Sequence, residues 1–379
     1  MRTIYLDYNS TTPLDAGVRA KMAPFLEGEF GNPSSLHAIG RRARAALDDA
    51  RDRVSRVLKC SPGELIFTSG GTESNNLAIL GAARSLREKG RHIIVSSVEH
   101  PSVLGPCEYL LDKEGFSVSK IPVDRFGVVS PVDVAALIRN DTVLVSVMAA
   151  NNVVGSIQPV QEIGALCRDK GVLFHTDASQ WLGKLPFLSV HSFNADLVSF
   201  CAHKFHGPKG AGALFVRSQS PFSPCLAGGP QENERRPGTE NVSACVGMAE
   251  AVERFVATPV FSTPFIRSLT NLPSLLAPFF PTLLGHPTSR LPNTFSFSIP
   301  GSDGSSFLAA LDIEGVCASS GSACSSGSSS PSHVVAAMGM PASASSIVRF
   351  SFGRENTHDD LTSLLHIIPS LVRPHLACL

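Results

Sequence analysis

Between about residues 40 and 260 two textures alternate along the chain. Charged stretches whose apolar positions recur every three or four residues (RRARAALDDARDRVSRVL, NLAILGAARSLREKG, VQEIGALCRDKG) give way to short apolar runs. The runs ELIFTSG, HIIVSSVEH, DTVLVSVMAANN, GVLFHTDAS, ADLVSFCAHK and GALFV are rich in Val, Ile, Leu and Phe and lack polar alternation. Each therefore predicts a strand buried on both faces. Their alternation with helices predicts βαβ units, hence one large α/β domain with a mostly parallel sheet and helices on both sides.

Beyond about residue 260 the texture changes. TPVFSTPFIRSLTNLPSLLAPFFPTLLGHPTSRLPN is rich in Pro and Leu, poor in charge and without a clean period. It predicts passage into a smaller α+β lobe containing the strands NTFSFSIP and SIVRFSFG. The stretch ASSGSACSSGSSSPS favours neither a helix nor a packed core, so it predicts a mobile loop.

Composition narrows the classes of function. The chain has 379 residues, enough for a large core, with 43% hydrophobic and 17% charged residues, as in a globular enzyme. Lys plus Arg equal Asp plus Glu at 32 each, which gives no electrostatic reason to expect a nucleic acid or an anionic membrane as partner. The start, MRTIYLDYNSTTPL, shows no apolar signal core, and no run of about 18 apolar residues predicts a membrane span. Nine scattered Cys without a CxxC pair argue against a disulfide framework and a structural zinc site. A reducing cytoplasm is expected.

The chemistry gathers where the apolar runs end. After LIFT comes SGGTESNN, after IIVSS comes VEHPS, after LVSVMA comes ANNVVG, after VLFH comes TDASQ, and after LVSF comes CAHKFHGPKG. In open parallel sheets, ligands bind outside the carboxyl ends of the strands. Ser69, Gly70, Gly71 and Thr72 suit a monophosphate at a helix start, or an ordinary glycine turn with a Thr cap; they match neither nucleotide-loop pattern. Asp177 can pair with a ring nitrogen, act as a base or cap a helix, and it has no acidic partner at metal-ligand spacing. Lys204 follows a strand that should bury it, and a buried amine sheds its proton easily, which suits a Schiff base; a surface salt bridge is the alternative. Lys209, between Gly and Pro, looks like a surface turn. Cys324, amid SGSACSSGS, is either an accessible nucleophile or an incidental thiol. Arg349 inside an apolar strand needs a carboxylate or phosphate, whether from a ligand or a structural ion pair.

Taken in order, these motifs resemble the class V aminotransferase family, and within it the cysteine desulfurases. The likeness runs through YLDYNSTTPL, GNPSSLH, FTSGGTESNNLAI, VEHPSVL, NNVVGSIQPV, HTDASQWLGK, AHKFHGPKGAGALFV, RRPGTENV, SSGSACSSGS and RFSFGR. It implies the aspartate-aminotransferase fold, pyridoxal-phosphate fold type I. The large cofactor-binding domain would span 15–260, and residues 1–14 with 261–379 would form the small domain, whose catalytic cysteine loop covers about 318–331. It also implies a homodimer with active sites at the subunit interface.

In that reading pyridoxal 5'-phosphate is bonded to Lys204, with Asp177 on its ring nitrogen and His100 stacked on the ring and shuttling protons. Gln180 would meet the phenolic oxygen and Asn152 would lie near it. Gly71, Thr72 and His203 would hold the phosphate together with Thr239 of the partner subunit, while Cys201 stands in that site where Ser or Thr is usual. Arg349 would clamp the substrate carboxylate, joined by Asn152. Lys204 would take the α-proton of L-cysteine and Cys324 would accept its sulfur as a persulfide, releasing L-alanine. The sulfur would pass to an acceptor or scaffold protein for iron–sulfur clusters, thio-cofactors or tRNA. No intrinsic metal is implied, beyond passing contact of Cys324 with a cluster on a scaffold. RRPGTENV and RLPN are also similar to motifs of selenocysteine lyases, so that activity, or another aminotransferase or lyase reaction on the same fold, is the alternative.

Overall fold

The computed structural model describes residues 2–280, 282–299, 304–321 and 331–376. A short strand, β1 (Ile4–Tyr5), precedes the seven strands of the largest sheet: β2 (Leu65–Thr68), β3 (His92–Ser96), β4 (Ser117–Ile121), β5 (Thr142–Ser146), β6 (Leu173–Asp177), β7 (Leu197–Cys201) and β8 (Gly212–Val216). Their spatial order is β2-β8-β7-β6-β5-β3-β4, and only β8 runs antiparallel to its neighbours. The six apolar runs of the sequence are six of these strands. β4 has no such signature because it closes one edge, where Ser117, Val118 and Ser119 are only half-buried and Lys120 is exposed.

Alternate residues of each strand serve opposite layers, as a period of two requires. Phe67, Ile94, Val145, Phe174, Val198 and Phe215 pack on one face, with α1 (Ala16–Glu27), α2 (Ala38–Leu58) and the helix Val242–Val256. Ile66, Ile93, Val95, Leu144, Leu197 and Leu214 pack on the other, against α3 (Gly71–Ser85) and α4 (Pro101–Glu114). In α2 the buried Ala43, Leu47, Ala50, Val54 and Leu58 recur every three or four residues, and Arg44, Asp48 and Asp52 face water between them. Each such Leu or Val contributes about 1.5–3 kcal/mol when fully buried.

The later strands are β9 (Thr282–Leu284), β10 (Thr294–Ser298), β11 (Val316–Cys317) and β12 (Ile347–Ser351). β10 lies antiparallel between β9 and β12, whereas β11 pairs in parallel with β1. A second apolar cluster forms here from Ile4, Leu6, Phe280, Phe297, Phe307, Phe350, Leu364 and Ile368. The Pro-rich stretch that reads as aperiodic is in fact partly helical. Ile266, Leu269, Leu272 and Leu276 are buried at helical spacing through Pro264–Ser268 and Leu272–Leu276, with a 3₁₀ turn between. Pro264 and Pro273 sit in first turns, where a missing N–H costs nothing, and they interrupt the pattern without breaking the helices.

From β1 the chain crosses to the large sheet. Asp7 bridges to Ser351 of β12, and Thr12 donates from both its N–H and its hydroxyl to the His203 carbonyl beyond β7. Residues 9–12 thus lie over the carboxyl end of the sheet. Among the described residues no helix is long and apolar enough to cross a membrane.

Candidate active site

Strands β2, β3, β5, β6 and β7 end at one edge, and the loops beyond them enclose a cavity of about 200 Å3. Gly71 and Thr72 follow β2, His100 follows β3, Asn152 follows β5, Asp177 and Gln180 come from β6 and its loop, and Cys201, His203 and Lys204 from β7 and the turn after it; all line the cavity. Arg349 reaches it from β12 of the other sheet.

Lys204 lies in the 3₁₀ turn Ala202–Lys204. Its Nζ donates to the backbone oxygens of Asn9 at 2.6 Å and Ser10 at 2.7 Å, so its partners are carbonyls rather than carboxylates. Burial lowers the amine's pKa, with Cys201 opposing and Arg349 adding to the effect. A neutral amine is a nucleophile and a base, which an exposed lysine at neutral pH is not.

Asp177 caps in part and binds in part. Its Oδ1 accepts from the N–H of Ser179 at 2.9 Å, as a turn-capping aspartate does, while Oδ2 accepts from Asn75 Nδ2 at 2.7 Å. Asn75, buried in α3, also donates from Nδ2 to Ser102 Oγ at 2.9 Å, and its Oδ1 has no partner among the described residues. It thereby ties the carboxylate to α4, where His100 is the N-cap. The Nδ1 atom of His100 accepts from the Ser102 N–H at 3.1 Å and lies 2.7 Å from Ser102 Oγ. Burial lowers the pKa of His100, which favours the neutral ring at pH 7.

At the opposite end, Gly70 takes φ 154°, a conformation open to glycine, and turns β2 into α3. A Cβ on Gly71 would lie 3.2 Å from Ser179 Oγ and 3.5 Å from Cys201 Cβ, so a side chain there would crowd the cavity wall. Burial, then the neighbouring Lys204, pushes the His203 pKa down to about 4, and burial raises that of the Cys201 thiol. Both groups are therefore neutral at pH 7.

Arg349 is 1% exposed. Its Nη2 donates to Asp7 Oδ1 at 2.6 Å and Ser10 Oγ at 3.0 Å. Nη1 donates to the carbonyls of Asn152, at 2.8 Å, and Gly321. Nε has no partner among the described residues. The ion pair expected of a buried arginine is thus present, and the guanidinium still faces the cavity. Asn152 enters this network through its backbone oxygen, which also accepts from Asn9 Nδ2 at 3.1 Å.

One expected residue stands apart from the rest within this chain. Thr239 lines a separate cavity of about 190 Å3 beside Phe67, Ser69, Glu232 and Arg236. Cys324 lies outside the described residues. Conversely, Asn9, Ser10, Asn75 and Lys184 hold the site together although sequence reasoning assigned them nothing. The signals were an asparagine-serine pair opening a rim segment and amides inside a helix, and neither points to chemistry by itself.

With this geometry in view, the chain matches the family description Aminotransferase class-V over residues 4–364. The chain belongs to that family. It is 44% identical over 380 residues to cysteine desulfurase IscS of Dictyoglomus turgidum, a match covering 98% of this chain and 95% of the relative. Among solved structures it is similar to a NifS-like protein (TM-score 0.88, 35% identity, all of both chains). It is also similar to SspA in complex with cysteine (TM-score 0.81, 33% identity, 94% of this chain and all of the other). The fold is accordingly fold type I, with its large, mostly parallel central sheet.

Enzymes of this family use pyridoxal phosphate, and the residues present fit it. An amine on Lys204 whose pKa burial lowers, the carboxyl group of Asp177 and a glycine wall at a helix start occupy one cavity. Among the described residues no group of three or more His, Cys, Asp or Glu is placed to hold a metal ion.

Proposed function

We propose that this chain is a cysteine desulfurase, converting L-cysteine to L-alanine and passing the sulfur to Cys324 as a persulfide. The observation that carries this reading is the convergence of Lys204, Asp177, His100, Gln180 and Arg349 on one cavity, in a chain whose relatives bear that activity's name.

Bound pyridoxal phosphate supplies a ring that withdraws electrons from the substrate's α-carbon. Lys204 would hold it through Nζ, Asp177 would meet its ring nitrogen, and Gln180 and Asn152 would face its phenolic oxygen. Gly71, Thr72, Cys201 and His203 would surround its phosphate. His100, held as the neutral ring by burial, would lie on the ring face and could pass a proton. Arg349 receives the substrate carboxylate. Lys204, freed when the substrate's amino group takes its place and with its proton affinity lowered by burial, would take the α-proton at Nζ. Cys324 attacks as thiolate, the substrate C–S bond breaks, an S–S bond forms at Cys324, and the carbon fragment keeps the electron pair and gains protons to leave as alanine.

A homodimer, with Thr239 reaching the partner's phosphate site, follows from the same reading. So does delivery of the sulfur to an acceptor or scaffold protein for iron–sulfur clusters or thiolated products. The cytoplasm is the compartment we assign, and a reducing milieu suits a chain whose seven described cysteines are free thiols.

The test is to incubate the purified yellow protein with cysteine and a reductant and to measure alanine and sulfide. Equal amounts of both are expected, and Cys324→Ala should abolish sulfide release. Undiminished release from that variant overturns the persulfide step, and turnover confined to selenocysteine overturns the substrate.

A further inference from the structure

Lys184 is a lysine that the reaction does not use, yet it lies within the active-site network. Only 2% of it is exposed. Its Nζ donates to Asn9 Oδ1 at 2.6 Å and to Gln180 Oε1. Gln180 Nε2 in turn donates to the Asn9 carbonyl at 3.1 Å, the same oxygen that accepts from Lys204. Asn9 Nδ2 donates to Thr294 Oγ1 at 2.9 Å and to the Asn152 carbonyl. One nitrogen therefore touches the side-chain amides of both Asn9 and Gln180, and the Asn9 carbonyl joins Gln180 to Lys204.

An amide can sit in either of two orientations, and its neighbours choose between them. Here two neighbours choose alike. Lys184 offers hydrogens to Oε1 of Gln180, and turning that amide over would press Oε1 against the Asn9 carbonyl, acceptor on acceptor. With Oε1 held by Lys184 and one Nε2 hydrogen spent on Asn9, the second Nε2 hydrogen is left for the cavity that Gln180 lines. The same nitrogen turns Asn9 so that its NH2 faces Asn152 and Thr294.

We propose that Lys184 is a positioning residue that fixes Gln180 with its N–H toward the cofactor's phenolic oxygen, a role that rests on the cofactor reading above. Burial pushes the Lys184 amine far down from its usual range, and the nearby Lys204 adds to the effect. Both oxygens are served in either protonation state, because even the neutral amine has two hydrogens. Orientation rather than charge is then what Lys184 provides.

The readout is the pH at which the visible band of the loaded enzyme changes. A donor on the phenolic oxygen stabilises its anion and so weakens that oxygen's hold on the neighbouring proton. Losing the donor raises the midpoint by about one pH unit, the worth of one hydrogen bond to a charged group. Lys184→Met and Gln180→Ala should each show that rise, and the double variant should rise no further than Gln180→Ala alone. Lys184→Gln, which keeps a donor and carries no charge, should stay within about 0.3 pH unit of the unaltered enzyme. An unchanged midpoint in Lys184→Met, or additive shifts in the double variant, overturns the assignment. Should Lys184→Met fail to fold, Lys184→Gln decides, because a midpoint displaced as far as in Gln180→Ala makes charge the cause. A colourless unaltered protein would instead defeat the cofactor reading, a different result from any of these.

Discussion

Arg349 Nη2 lies 2.6 Å from Asp7 Oδ1, joining β12 to the segment that follows β1. The guanidinium is almost wholly buried and the carboxylate only partly so, with relative side-chain exposures of 1% and 17%. Such a cation must have a counter-charge, since uncompensated burial costs several kcal/mol. The pair thus holds Arg349 ionised and aimed, and it also sets a competitor beside any substrate carboxylate that Arg349 receives.

Asp7→Asn should therefore act in two opposite ways. Stability should fall by about 3 kcal/mol, read as a lower urea midpoint, because the buried cation keeps only neutral acceptors. The KM for cysteine should fall roughly 10-fold, about 1.4 kcal/mol, because the competing carboxylate is gone. An unchanged KM would mean that Arg349 serves Asp7 alone.

Asn75→Ala tests the residue that anchors Asp177. It removes the hydrogen bonds to Ser102 Oγ and Asp177 Oδ2 and frees the carboxylate to rotate. A bond to a charged group contributes about 1.5–3 kcal/mol, so kcat should drop roughly 10- to 100-fold. Steady-state rates measured on fully loaded enzyme check this. A variant with normal kcat and weakened folding alone would make Asn75 a packing residue.

The parts of this architecture that were legible beforehand share a cause. Strands buried on both faces, such as Leu65–Thr68 and Thr142–Ser146, carry the whole signal within four or five residues. The rim motifs likewise sit directly after those strands, so Asp177, His100 and Lys204 could be placed by position alone. β4 escaped because only Ile121 of its five residues is buried, so no apolar run marks it. The helices at 264–276 escaped because prolines in first turns look like breakers. Asn9 and Lys184 escaped for a different reason: the bonds from Gln180 and Lys184 to Asn9 span 171 and 175 positions in sequence, and no local pattern announces such contacts.

Acid should weaken the apoprotein in a defined window. His175 is fully buried between Ser146 Oγ at 2.8 Å and Ser199 Oγ at 3.0 Å, and burial drops its pKa to about 4 from its usual value near 6.5. At pH 5 an unfolded chain takes up a proton that the folded chain refuses. The associated stability is complete above about pH 6.5 and is lost as the pH falls toward 4, by about 2 kcal/mol between pH 7 and 5. Urea unfolding at both pH values should show that loss. His175→Gln should lose less by about that amount, with the remainder coming from His203, His100, His92 and His206, whose pKa values burial displaces the same way. Equal losses in both proteins would place the acid sensitivity elsewhere.

Thr239 gives the sharpest test of assembly. It lines a cavity beside Arg236 and Glu232, and within one chain it does not line the cavity of Lys204 and the phosphate residues. If it serves the partner's site, Lys204→Ala and Thr239→Ala carry defects that separate when the two variants share a dimer. In the hybrid one site receives both lesions, while the other combines an intact Lys204 with an intact Thr239 from its neighbour. Lys204→Ala alone should be inactive. Thr239→Ala alone should bind the cofactor roughly 10-fold more weakly, the loss of about one hydrogen bond to a charged group. Co-expressed with two different tags and purified through both, the hybrid should regain about half of the unaltered activity at limiting cofactor, since one site in two is whole. A hybrid no better than the mean of its parents would mean that Thr239 acts within its own subunit or not at all.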